Sequence, residues 1–295
     1  MNKIHFMIQT ASGENKMKVT YLGTTMLLFD DGHDQVLFDC HITRPSLWKC
    51  TCAALQTDTA VADRVINEFG IDRLKAIFIS HTHHDHVMDA PYFAAKCSAD
   101  IYGSPSTVNV ALGGGINSEK VHSYSESFNF GIGEYSVTAI PSIHSVAHWF
   151  NNDLGQTIDR PLPQPARRRA YKEGGSFDFL VEHTGRKYLI RPSYNYLEGQ
   201  LDGIRADVLF LGIGGLCRDK PERRKKFFSE TIEKVSPEKV IPVHWDNFMT
   251  PLYSCEKWMK VLLDDPQKSI DELKHYCESH DISFTLLMPL SGMEI

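Results

Sequence analysis

Four histidines and an aspartate fall within seven consecutive residues, Ser80-His81-Thr82-His83-His84-Asp85-His86. Neutral imidazole is the commonest protein ligand for zinc-like cations, and a carboxylate beside it can serve as a further ligand or as a base. An ordinary solvated loop draws on Gly, Ser, Asn and Lys, and burying four imidazoles without partners would be costly. The chemistry expected of this segment is therefore the binding of a divalent cation. The apolar run Ala76-Ile77-Phe78-Ile79 immediately precedes it, so a strand delivers the cluster into a loop.

The pattern His81-x-His83-x-Asp85-His86 resembles the signature of the metallo-β-lactamase superfamily, and the resemblance runs from about residue 18 to the C-terminus. Further matches follow it. Asp39, at the end of the apolar strand Val36-Leu37-Phe38, stands where that family has an acidic residue supporting the site. His144 in Ile140-Pro141-Ser142-Ile143-His144 resembles the next metal ligand, and His244 in Ile241-Pro242-Val243-His244-Trp245 the last. The resemblance implies that His81, His83 and His144 hold one cation with an open fourth position, and that Asp85, His86 and His244 hold a second if one binds. One departure matters. After the strand Lys187-Tyr188-Leu189-Ile190, where the family carries an aspartate that bridges two metals, this chain reads Arg191-Pro192-Ser193-Tyr194-Asn195. Ser193 is the positional match, and a hydroxyl is a far poorer ligand than a carboxylate. The expectation is one complete metal site and a second lacking its bridge.

An open coordination position is the mark of a catalytic site, because a cation there acidifies a bound water and generates a nucleophile at neutral pH. With one cation only, Asp85 is available to orient or deprotonate the water, and His244 to polarise the substrate or protonate the leaving group. Asp39 is expected to accept a hydrogen bond from a ligand and fix its orientation. His41 could line the pocket or be solvated, and His84 is expected to face away. Zinc is the first expectation for the metal, with manganese, iron or nickel as alternatives set by geometry and supply.

At 295 residues and 42% hydrophobic content the chain can bury a large core. A net charge of −6 argues against nonspecific attraction to nucleic acid. Seven scattered cysteines are not a disulfide framework, and a reducing, cytoplasmic setting is expected. No apolar run reaches the ~18 residues that span a membrane. The partner expected is a small, anionic substrate rather than a nucleic acid or a membrane, with a symmetric dimer as the oligomeric expectation.

Strands are expected over residues 18–22, 26–30, 36–39, 76–80, 100–102, 128–130, 135–140, 177–182, 187–190, 208–211, 240–243 and 283–287. Helices are expected over residues 59–69, capped by Asp58 and closed by Gly70, and over 90–96, 222–235, 256–263 and 270–279. Strands dominate the first two thirds and helix-strand alternation the last, which suits packed mixed sheets with helices outside. The resemblance makes this an α+β, four-layer αββα sandwich: residues 1–17 an N-terminal extension, 18–295 one domain, and 147–175, with Arg167-Arg168-Arg169, a candidate lid. The function implied is a metal-dependent hydrolase acting on an ester, lactone or phosphodiester, in a lactonase and phosphodiesterase-like branch. The alternatives are a thioesterase or β-lactamase, or a non-catalytic metal-binding or sensing protein.

Overall fold

Tight turns dictate the start of the first sheet. The computed structural model describes residues 17–146, 152–255, 258–259 and 264–295. In it Lys18–Gly23, Met26–Asp30 and Gln35–Phe38 run antiparallel, with Val19 opposite Phe29 and Leu27 opposite Phe38. Helices then separate consecutive strands, and a helical crossover returns the chain in the same direction. Gln35–Phe38, Leu74–Phe78, Asp100–Gly103 and Val121–Ser123 are accordingly parallel. The second sheet repeats the scheme. Phe128–Ile132, Tyr135–Ser142, Ser176–His183 and Arg186–Arg191 are antiparallel neighbours, and Arg186–Arg191, Val208–Gly212, Lys239–Val243 and Ser283–Phe284 are parallel.

Strand alternation decides what lies between the sheets. Phe29, Phe38 and Phe78 project from the first sheet onto Phe179, Tyr188 and Phe210 of the second, with Phe38 and Phe179 ring centres 5.3 Å apart and Phe29 and Tyr188 5.6 Å apart. Leu28, Leu37, Ile77 and Ile101 face the other way and pack with Ala62 and Val65 of helix Thr59–Glu68 and with Phe93 and Ala94 of helix Ala90–Cys97. On the far side, Leu209 and Leu211 join Phe227, Ile232, Leu273 and Cys277. The layers are helix, sheet, sheet, helix. No helix among the described residues is long and apolar enough to cross a membrane.

Several elements differ from expectation. Pro105–Gly113 is a helix started by the Ser104 side chain, and Leu47–Cys52 is a short helix started by Ser46. Helix Pro221–Phe228 continues as a π-helical turn, Ser229–Glu233. The last strand, Ser291–Glu294, pairs with Lys18–Gly23 and closes the first sheet. Most of the expected extension, the start of the candidate lid with His148-Trp149-Phe150, and most of the expected helix 256–263 lie outside the described residues.

In both sheets the parallel strands end at one common edge. Asp39, the histidine loop, residues 191–195, Gly214 and His244 all follow such strand ends, and connecting loops there are free to carry chemistry.

Candidate metal centre

The histidine loop is held from below by one buried carboxylate. Asp39 follows its strand in a left-handed backbone conformation (φ 52°), which turns its side chain under the loop. Its Oδ1 accepts the Ser80 N–H at 2.8 Å. Its Oδ2 accepts the Ser80 hydroxyl at 2.9 Å, the Thr25 hydroxyl at 2.5 Å and His86 Nδ1–H at 2.7 Å. Because His86 donates from Nδ1, its lone pair lies on Nε2. Ser80 Oγ, its proton committed to Asp39, accepts from His81 Nδ1 at 3.1 Å, so the His81 lone pair also lies on Nε2.

The other two rings are fixed in the same manner. His83 Nε2–H donates to Asp153 Oδ1 at 3.1 Å, which leaves the lone pair on Nδ1. His144 Nδ1–H donates to the Ser145 carbonyl at 3.0 Å, which places the lone pair on Nε2. His83 Nδ1 and His144 Nε2 then face each other at 3.2 Å, acceptor to acceptor. His81 Nε2 is buried with no hydrogen-bond partner among the described residues. One nitrogen from each of the three rings lies within 4.8 Å of the others. Two facing lone pairs repel, and a buried orphan acceptor costs about 1–3 kcal/mol. A cation removes both penalties: ligands about 2.0–2.1 Å from a tetrahedral zinc lie about 3.3 Å from one another. The residues fit the metal.

Burial, reinforced by the neighbouring imidazoles, holds His81 well below the ordinary histidine range and brings His144 down to about 3. Both rings are thus neutral and available as ligands at any physiological pH.

Asp85, His86 and His244 form a second group of the same dimensions. Asp85 Oδ2 lies 3.7 Å from His86 Nε2 and 3.7 Å from His244 Nε2, too long for hydrogen bonds and near the spacing of ligands sharing one cation. Burial alone would raise Asp85, but His86, His84 and His244 hold it well below the usual carboxylate range. Burial would lower His244, and the adjoining Asp85 carboxylate reverses this and raises it. Ser193 lines the same cavity, so no carboxylate occupies residues 191–195.

Two histidines are placed differently from expectation. His84 does not face away: it is buried, lines the cavity, and lies 3.4 Å from Asp85 Oδ1 and 3.7 Å from Cys50 Sγ. The short helix His84–Val87 begins right after His83 and turns this side chain inward. His41 neither lines the cavity nor meets solvent; it is wholly buried, 3.9 Å from Asp89, with its ring against that of His84.

Asp153 is a functional residue the sequence does not reveal, because a lone aspartate in an irregular stretch gives no local signal. The described part of the connection, residues 152–175, packs on the histidine loop as a support. The Thr82 N–H donates to the Glu173 carbonyl at 2.9 Å and its hydroxyl to that of Lys172, while a Cβ on Gly174 would lie 2.4 Å from Thr82 Oγ1. Carboxylates that orient a ligating histidine commonly contribute about 10–100-fold to metal affinity. Asp153→Ala is therefore expected to weaken the first cation by that factor, measured by competition with a chromophoric chelator. Unchanged affinity would reduce Asp153 to a surface partner of His83.

Known proteins resemble this chain in sequence and in fold. The sequence profile of the metallo-beta-lactamase superfamily matches residues 57–190. A Bacillus licheniformis protein described as a metal-dependent hydrolase is 29% identical over 234 residues, 79% of this chain and 86% of that one. YtkL of Bacillus subtilis, described in the same way, is 27% identical over 259 residues, 87% of this chain and 93% of that one. Among solved structures, Igni18, a metallo hydrolase from Ignicoccus hospitalis, superposes with a TM-score of 0.59 at 14% identity, covering 95% of this chain and 98% of that one. In its motif, its layered sheets and its relatives, the chain is similar to the metallo-β-lactamase superfamily.

Proposed function

We propose that this metal-dependent hydrolase of the superfamily cleaves a small anionic ester, lactone or phosphodiester, with one cation at His81, His83 and His144 and a second position at Asp85, His86 and His244. The observation that carries this reading is the convergence of three imidazole lone pairs whose opposite nitrogens are all engaged as donors. A cation held there supplies a polarising charge and lowers the pKa of a water from about 15.7 to about 7. With a second cation, Asp85 and His244 serve as ligands. With one alone, Asp85, kept anionic, orients the water, and His244, raised by Asp85, gives a proton to the leaving group.

The cavity over the centre, about 870 Å³, supports a small-molecule substrate with both apolar and anionic parts. Trp245, Phe248, Met249 and Met259 line it, as do Arg168, Arg218 and Arg223. Asp85, Asp219 and Asp264 line it too; Asp219 pairs with Arg223 at 2.6 Å, and Asp264 accepts the Gly215 N–H at 2.8 Å. Guanidinium groups are apt partners for a carboxylate or phosphate. All seven cysteines are free thiols, which suits the reducing cytoplasm in which we place the protein.

Elemental analysis of purified protein, followed by a lactone, phosphodiester, thioester and β-lactam panel before and after chelation, tests the proposal. We expect zinc bound, turnover of an ester, lactone or phosphodiester, loss with chelator and recovery on adding metal back. Metal-loaded protein silent across the whole panel would instead favour a binding or sensing role, and activity that survives complete metal removal would end the proposal.

A further inference from the structure

No carboxylate at residues 191–195 supports the second metal position, so something else must keep His86 and His244 at the right separation. The turn between the first two strands reaches both. The Thr25 hydroxyl lies 3.0 Å from His86 Nδ1 and donates to Asp39, the carboxylate that orients His86. The carbonyl of the adjoining Thr24 accepts the His244 backbone N–H at 2.5 Å. Thr24 (φ 56°) and His244 (φ 58°) both sit in the left-handed region, where a β-branched residue such as threonine is out of place unless its surroundings enforce it.

What enforces it is a buried ion pair behind the turn. Asp246 Oδ1 accepts the Thr24 N–H at 2.8 Å and the Tyr21 hydroxyl at 2.6 Å, and that hydroxyl is also 3.0 Å from the Thr24 carbonyl. Asp246 Oδ2 pairs at 2.6 Å with Arg44 Nη2, and the side chains are 0% and 1% exposed. Arg44 also reaches the Asn247 carbonyl at 3.3 Å. The guanidinium lies flat against the turn, since a Cβ on Gly23 (φ +108°) would sit 1.7 Å from Arg44 Nη2. Two buried charges, with Arg44 Nε left without a hydrogen-bond partner among the described residues, are a costly way to stabilise a fold, and the best-attested use of such a pair is to specify one arrangement.

The geometry points to the Arg44–Asp246 pair, acting with Tyr21 through the Gly23-Thr24-Thr25 turn, as the latch that positions His244 against His86 for the second cation. These are positioning residues, and the inference rests on the metal centre proposed above. Tyr21→Phe removes one hydroxyl from the latch, and Asp246→Asn removes its charge while keeping its shape. Zinc is titrated into chelated wild-type and variant proteins against a competing dye, with metal content measured in parallel and thermal unfolding as the folding control. Loss of support around a ligand typically weakens metal binding about 10–100-fold. We expect wild type to take two ions, and both variants to bind the second that much more weakly with the first unchanged. A purely structural role would lower the melting temperature and leave the ratio of the two affinities alone. That result, an unaltered second ion in folded Tyr21→Phe, or a wild type that takes one ion only, would overturn the latch. A wild type that binds no metal would instead overturn the centre itself.

Discussion

Alanine at His83 or His144 is expected to strip the cation from the three-imidazole face and to lower kcat/KM by about 10³-fold or more. Two imidazoles are a poor site for a cation that takes four ligands, so the ion departs rather than rearranging. Its polarising charge contributes several kcal/mol to a transition state, and each 1.36 kcal/mol is a factor of about ten. The fold should survive. The apolar clusters lie between and outside the sheets, while these rings sit at the sheet edge and hydrogen-bond to loop residues, Asp153 for His83 and Ser145 for His144. Far-ultraviolet circular dichroism and metal content, read alongside kinetics, separate loss of metal from unfolding. Retention of a full complement of metal and near-normal turnover by folded His83→Ala would show that the three rings are not the centre.

These rings were legible in the sequence for unequal reasons. His81, His83, Asp85 and His86 are neighbours in the chain, and their density alone implied a ligand cluster. His144 and His244 came only from the resemblance, since a lone histidine after a strand has no local signature. Asp153 and the Arg44–Asp246 pair were invisible because their partners are remote: His83 is 70 residues from Asp153, and Arg44 is 202 from Asp246. Such pairs form only once both sheets are in place. The inward placement of His84 has no sequence signal, because its spacing says nothing about the helical turn that starts there and rotates its ring inward.

The same division holds for the fold. Strands joined by short turns, such as Lys18–Gly23 with Met26–Asp30, and helix Thr59–Glu68 with its Asp58 cap, carry their reasons locally and were placed within a few residues. Helix Pro105–Gly113 carries a local signal too, a serine cap followed by proline in the first turn, but a weaker one than the patterns of its neighbours. Ser291–Glu294 carried none. Ser-Gly-Met-Glu has little strand propensity, and only the vacant edge of Lys18–Gly23 makes it a strand.

Asp85→Asn is expected to leave the three-imidazole cation in place and yet to cost about 10²–10⁴-fold in kcat/KM, the range for a lost proton-transfer or water-orienting group. The carboxylate has no part in the His81, His83 and His144 set, so metal content should fall by the second ion at most. Its charge is what offsets the burial of His244. With the neutral amide in its place that upward push is gone, and His244 should titrate lower than in the wild-type protein, a fall visible in histidine resonances of the chelated protein. A variant with normal turnover and an undisturbed His244 would remove Asp85 from the chemistry. Since Ser193 supplies no second carboxylate at residues 191–195, Asp85 is the sole acidic member of the two ligand sets among the described residues. Its neutralisation should therefore cost this chain more than it would cost a centre that shares the charge between two aspartates.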